Sequence, residues 1–173
     1  MDESKFIWSD GELVEWENAT THLLTHSLHY GNAAFEGVRA YRTDKGLAIF
    51  RLDCHTKRLL NSAKILLLNT PYSFEITKNA HIEVLRANKD CFKDAVYIRP
   101  LIYLGYGVMG IYHKNCPVKM MIAAWNWGAY LGEEGIENGI RVKTSSFVRN
   151  SIKSLMGKAK ASANYLNSQM AKF

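Results

Sequence analysis

Four lysines near the C-terminus, Lys153, Lys158, Lys160 and Lys172, are candidates for covalent chemistry with a carbonyl compound. An amine reacts this way only when it can lose its proton, which calls for a desolvated niche or neighbouring positive charge. Lys158 and Lys160 stand among Gly157, Ala159, Ala161, Ser162 and Ala163, and such small side chains let a bulky ring approach the amine. A second candidate is Arg99. If residues 95–104 form a strand, Tyr97, Arg99, Leu101 and Tyr103 share one face and Val96, Ile98 and Ile102 the other. A guanidinium in mid-strand among apolar neighbours needs an anionic partner. That partner is either a carboxylate of the protein, such as Glu36, or a substrate carboxylate clamped with a tyrosine hydroxyl beside it. A third candidate is the aromatic run Trp125-Asn126-Trp127-Gly128-Ala129-Tyr130, which reads as core or as the lining of a ligand pocket at a domain junction.

Two other patterns carry less. Gly105-Tyr106-Gly107-Val108-Met109-Gly110 fits G-x-G-x-x-G, but dinucleotide binding needs a helix to begin within the motif. Residues 111–117 instead read as a loop ending in Pro117. His22, His26 and His29 could share a helix face and hold zinc, but Tyr30 and Gly31 follow at once and no carboxylate is in phase. Histidines hydrogen-bonded within a turn are the simpler reading.

The elements that must position these residues come from a chain of 173 residues, 47% apolar and 22% charged, enough to bury a core without staples. Glycine and proline number 12 and 3, too few for a disordered chain. No apolar run reaches membrane-spanning length, and the N-terminus lacks the pattern of a secretory signal. Cys54, Cys91 and Cys116 are widely spaced and form no C-x-x-C, which favours a reducing cytosol over disulfides or a metal site. Net charge is +6, and the last 36 residues hold seven Lys and Arg with no acid. On charge alone this basic tail suits an anionic partner, a non-catalytic basic binding module, or a chain whose balancing acids lie in further sequence.

Residues 6–8 and 12–16 flank an Asp-Gly hairpin signal, and 37–42 and 47–51 flank a second turn. Asp53 is expected to cap a helix over 53–68, and a second helix is expected over 77–88. Two strands, 95–104 and 118–127, come next. Residues 128–139 hold four glycines and three glutamates and read as a linker. A strand is expected over 140–148 and a helix from after Met156 to Lys172. Such a strand–helix unit cannot bury its faces alone.

The runs His29-Tyr30-Gly31, Phe35-Glu36-Gly37-Val38-Arg39-Ala40-Tyr41, Arg58-Leu59, Tyr97-Ile98-Arg99-Pro100-Leu101, Trp127-Gly128-Ala129-Tyr130-Leu131-Gly132 and Lys160-Ala161-Ser162-Ala163-Asn164-Tyr165-Leu166 resemble those of the branched-chain amino acid aminotransferases, pyridoxal-phosphate enzymes of fold type IV. D-amino acid aminotransferase and aminodeoxychorismate lyase share that scaffold, but the runs at 97–101 and 127–132 favour the branched-chain type. The resemblance covers essentially the whole chain. It implies an α+β fold: a small N-terminal domain, 1–127, with an antiparallel sheet and two helices, a linker over 128–139, and over 140–173 the first strand and helix of an incomplete large domain.

The activity implied is transamination of leucine, isoleucine and valine with 2-oxoglutarate, giving 2-oxo acids and glutamate, with pyridoxal 5'-phosphate as cofactor. Lys160 would form the aldimine with it and move the α-proton. Arg58 would reach the cofactor phosphate and Tyr165 its phenolic oxygen. Tyr97 would contact the substrate α-carboxylate, while Arg99 orients Tyr97 and accepts the side-chain carboxylate of glutamate. Phe35, Trp127 and Tyr130 would line the apolar pocket. Tyr30, Met109 and Ile111 match positions that a dimer partner lends to its neighbour's pocket. The resemblance further implies a cytoplasmic homodimer or higher homo-oligomer that needs no metal, nucleic acid or membrane. Family members continue well past the lysine, so the 173-residue chain is expected to be an N-terminal piece with weak or no turnover alone.

Overall fold

The computed structural model describes residues 4–127 and 132–172. The first hairpin joins β1 (Phe6–Ser9) to β2 (Glu12–Glu15). Its turn residues Asp10 and Gly11 both take positive φ, 48° and 108°, the conformation an Asp-Gly hairpin turn requires. A five-residue helix, α1 (His26–Tyr30), and a short strand, β3 (Ala33–Phe35), follow. β4 (Val38–Thr43) and β5 (Gly46–Ile49) form the second hairpin. Helices α2 (Leu52–Ile65) and α3 (Phe74–Ala87) come next, then the long strands β6 (Ala95–Leu104) and β7 (Val118–Asn126). The sheet is antiparallel with order β2-β1-β7-β6-β4-β5, and β3 pairs with β6 beyond the end of β4.

β6 organises the sheet. Its even-numbered residues, including Val96, Ile98, Ile102 and Leu104, are buried, and its odd-numbered residues are half-buried on the opposite face. The buried face joins Met120, Ile122 and Ala124 of β7, Val38 and Ala40 of β4, and Trp8 of β1. Helices α2 and α3 cover it with Leu59, Ala63, Ala80, Val84 and Leu85. Pro100 sits in mid-strand, where its missing N–H would normally break a ladder. It stands where the partner changes from β4, whose last pair is Val38 with Ile98, to β3, whose first is Phe35 with Leu101. Only its carbonyl is used there, accepting the Glu36 N–H at 3.1 Å.

The structure corrects several expectations. Asp53 does not cap α2: Arg51, with φ 48°, leads into the helix, and the Asp53 carboxylate instead pairs with Lys78 at 2.8 Å. The α3 cap is Ser73, whose hydroxyl accepts the Ile76 N–H, so that helix starts three residues earlier than expected. The expected linker is partly helical, α4 (Gly132–Asn138). Residues 140–148 form no strand, because they pair with no strand among the described residues and a lone extended segment leaves its N–H and C=O groups without a ladder. The C-terminal helix starts later than Met156: a 3₁₀ turn at Ser162–Tyr165 leads into α5 (Leu166–Met170).

Thr56 of α2 is fully buried and its hydroxyl has no hydrogen-bond partner. A buried hydroxyl in that state costs free energy. Thr56→Val keeps the branched shape and should raise stability by about 1 kcal/mol, a Tm increase of about 3 °C. Thermal unfolding followed by circular dichroism checks this, and a lower Tm would refute it.

Candidate active site

Lys160 is positioned by its backbone. Its carbonyl accepts the Phe35 N–H at 3.1 Å, and its N–H donates to the Ser62 hydroxyl of α2 at 3.0 Å. Ala161 bridges to Ala34 of β3. Ala159 and Ala161 are both buried, so small side chains let this segment lie directly on β3 and α2. The side chain then projects along the sheet's open face. Its Nζ donates to the Tyr165 hydroxyl and lies 4.7 Å from the Phe35 ring centroid. Phe35 and Tyr165 stack obliquely with centroids 5.2 Å apart.

These groups open onto a cleft of about 930 Å³ that also takes in Tyr97, Arg99 and Trp127. Arg99 donates to the Tyr97 hydroxyl from Nη2 at 2.9 Å and Nε at 3.3 Å, and its guanidinium carbon lies 4.8 Å from the Phe35 centroid. Arg99 therefore does not pair with Glu36, one of the two partners the sequence allowed. Because the Tyr97 oxygen receives Arg99, its own proton is free to point into the cleft. Trp125 and Trp127 flank the Tyr97 ring at 5.0 Å and 4.6 Å.

Arg58 lines a smaller cavity of about 220 Å³ with Arg149, Lys158, Lys160, Asn164 and Tyr165. Four basic residues thus border one small cavity. Three of the tail's seven basic residues, Arg149, Lys158 and Lys160, line this cavity. The carboxylate beside Arg58 is Glu36, which is fully buried. Glu36 Oε2 accepts from Arg58 Nη2 at 2.6 Å and lies 3.0 Å from His55 Nδ1, while Oε1 accepts from Arg58 Nε. Burial alone would push this carboxyl up, but the hydrogen bonds and charge of Arg58 and His55 outweigh it and hold it below the usual range.

Lys160, Tyr165, Phe35, Tyr97, Arg99 and Trp127 thus converge on one cleft, and Arg58 reaches Lys160 through the adjoining cavity. Tyr130 lies outside the described residues. Tyr30, Met109 and Ile111 do not line the cleft. They are exposed, and Tyr30 stacks on His26 at 4.4 Å. The Lys160 amine is not in the dry niche its chemistry suggested: the residue is half-buried, but the amine's contact with the Tyr165 hydroxyl is exposed. Sequence reasoning missed Met121, Gln169 and Arg39 in the cleft wall. Met121 faces Leu101 across the β6–β7 ladder, a register that no local pattern reveals. The histidines do serve as hydrogen-bonding groups, with His26 Nε2 2.8 Å from the Gly110 carbonyl and His29 Nε2 3.0 Å from that of Leu23.

Residues 33–173 match the family described as amino-transferase class IV. The chain is 48% identical over 98% of its length to a branched-chain-amino-acid aminotransferase of Pseudomonas aeruginosa, covering 54% of that protein. It is 41% identical over 94% of its length to the enzyme of the same name from Escherichia coli K12, covering 52% of it. The crystal structure of an Escherichia coli branched-chain amino acid aminotransferase superposes with a TM-score of 0.91 at 40% identity, over 96% of this chain and 54% of that one. The chain spans about half the length of these relatives. With a family match over residues 33–173, identities of 41–48% over nearly the whole chain and a shared fold, the chain belongs to the class IV aminotransferase family.

Proposed function

We propose that this cleft serves the transamination of leucine, isoleucine and valine with 2-oxoglutarate as amino acceptor, on pyridoxal 5'-phosphate. The observation that carries the reading is the convergence of the Lys160 amine, the Tyr165 hydroxyl and the Tyr97–Arg99 pair on one aromatic-walled cleft beside a four-cation cavity. The donor set fits the cofactor: a primary amine for its aldehyde, a phenol beside that amine, and Arg58 lining a small basic cavity for its phosphate. When bound, the cofactor supplies an electron sink for the bond-breaking at the amino acid α-carbon.

The chain's own residues do the rest. Lys160 Nζ moves the proton at the α-carbon, with Tyr165 Oη as its hydrogen-bond partner. Tyr97 offers its hydroxyl proton to the substrate α-carboxylate, because Arg99 already donates into the oxygen. Arg99 meets the second carboxylate when glutamate or 2-oxoglutarate occupies the cleft. Phe35 and Trp127 supply an apolar wall for a branched side chain. Tyr30, Met109 and Ile111 are exposed, as residues lent to a partner's cleft in a homodimer would be. The unit over 1–127 carries the substrate side of the cleft, and 140–173 belongs to the cofactor domain.

The test is a stoichiometric reaction. Protein loaded with pyridoxal 5'-phosphate and given L-leucine, L-isoleucine or L-valine should release the matching 2-oxo acid, up to one equivalent per bound cofactor. Product from D-leucine instead would favour a D-amino acid enzyme of the same fold, and no product from any of the three L-amino acids would overturn the reading.

Gly37 gives a second test. A Cβ built there would lie 2.5 Å from the Tyr97 hydroxyl and 3.1 Å from its ring carbon Cζ, so Gly37→Ala must displace Tyr97 from Arg99. Overpacking of this kind costs about 1–3 kcal/mol, and carboxylate affinity should fall about tenfold or more. Titration with the unreactive acid 4-methylpentanoate measures it. Unchanged affinity would remove Tyr97 from the carboxylate site.

A further inference from the structure

A carboxylate with no solvent exposure, set beneath a guanidinium that is itself 57% exposed, is an unusual pairing. Apolar residues of similar volume often replace a buried ion pair without loss of stability, so its presence calls for a role other than stability. The geometry gives one. Glu36 engages the Nε and Nη2 edge of Arg58, a fork-on-fork contact that fixes the plane of the guanidinium and leaves Nη1 outside the ion pair, in a residue that lines the cavity. His55 Nδ1 lies against Oε2 of the same carboxylate, so Glu36 cannot swing with its partner.

The backbone adds the second observation. Phe35 donates its N–H to the Lys160 carbonyl, and the next N–H, that of Glu36, donates to Pro100 of β6. Adjacent residues of one segment therefore hold the Lys160 backbone and the Arg58 side chain, and both are tied to the centre of the sheet.

We propose that Glu36 is the positioning residue for Arg58, setting the guanidinium at a fixed distance from the Lys160 amine so that one ligand can bridge an aldehyde-reactive group and an anion-binding group. This deepens the proposed function and rests on it, since the ligand is taken to be an aldehyde that carries a phosphate.

The experiment compares pyridoxal 5'-phosphate with pyridoxal, which differ only in the phosphate, by visible-absorbance titration of the intact chain. The ratio of the two affinities is the phosphate preference. Arg58→Ala should lower it at least tenfold. Glu36→Gln should lower it by a similar factor although Arg58 is still present. The double variant should fall no further than Arg58→Ala alone. Arg58→Lys keeps the charge but cannot make the two-point contact, and it too should lose most of the preference.

If Arg58→Ala loses the preference while Glu36→Gln stays within twofold of the unmodified chain, or if the two losses add in the double variant, the positioning role is wrong. If Glu36→Gln fails to fold by circular dichroism, Arg58→Lys decides, because full preference in that variant refutes positioning and its loss supports it. If the unmodified chain shows no phosphate preference, or Arg58→Ala leaves it unchanged, the assignment of Arg58 to the phosphate fails, and the inference with it.

Discussion

Lys160→Ala is expected to abolish covalent capture of pyridoxal 5'-phosphate altogether. Borohydride treatment of the unmodified chain with the cofactor should leave a single adduct, mapped by peptide mass to Lys160, and the variant should leave none. Any transamination should fall by at least ~10³-fold, since the proposed function makes the residue both nucleophile and proton carrier. The variant should fold, because the segment is held by backbone bonds to Phe35 and Ser62 and by the buried Ala159 and Ala161, none of which involve the amine. Lys160→Arg should behave the same way, keeping the charge without a nucleophile at neutral pH. Lys158 lines the same small cavity and is the natural competitor. An adduct that persists in Lys160→Ala and maps to Lys158 would move the chemistry two residues upstream and undo the assignment of the cleft.

Acid should weaken the fold well before the carboxylates titrate, and His81 is the reason. It is fully buried on α3, with Nδ1 2.7 Å from the Thr77 carbonyl and Nε2 without a partner. Protonation would place a second N–H in the core with nothing to accept it. Burial lowers its pKa from 6.5 to about 4, a drop that the Thr77 hydrogen bond only partly opposes. Between those values the unfolded chain binds a proton that the folded one refuses, so stability is full above about pH 6.5 and falls as pH drops toward 4. At about 1.4 kcal/mol per pH unit the loss is about 3 kcal/mol. Glu36, held below 4.5 in the fold, adds its loss only at lower pH. Urea midpoints at pH 7, 6, 5 and 4.5 measure the slope, which should flatten in His81→Leu. A midpoint that stays level from pH 6.5 to 4.5 would rule out this account of His81.

Part of the cleft's lining was legible because Arg99, Lys160 and Trp127 sit in short runs whose types carry chemistry: an arginine amid a strand's apolar residues, a lysine amid alanines, tryptophans at a strand end; Phe35, Arg58 and Tyr165 were named only through the family resemblance. The long strands were legible for a similar reason. Alternation in β6 is a local property of period two, and its bounds, Ala95–Leu104, match the expected 95–104. Three features were not legible. Arg99 and Arg58 each needed an anion, and sequence could not say which of them Glu36 would serve. That depended on Glu36 falling at the junction of β3 and β4 with its side chain toward α2, while Arg99 points to the other face. His81 passed unnoticed because its role comes from burial under α2 and the sheet rather than from its neighbours in the chain. Residues 140–148 carry strand-like composition but pair with no strand among the described residues, and pairing rather than propensity makes a strand.

The amino acid sequence by itself determined which residues could react and which faces of the long strands would be buried. Both follow from side-chain chemistry and from periods of two to four residues. The tertiary structure decided which acid holds which base, which lysine meets the tyrosine, and which histidine is kept from a proton. Those outcomes depend on contacts between residues far apart in the chain, such as Glu36 with Arg58 and Lys160 with Ser62, and on burial that only the packed fold creates.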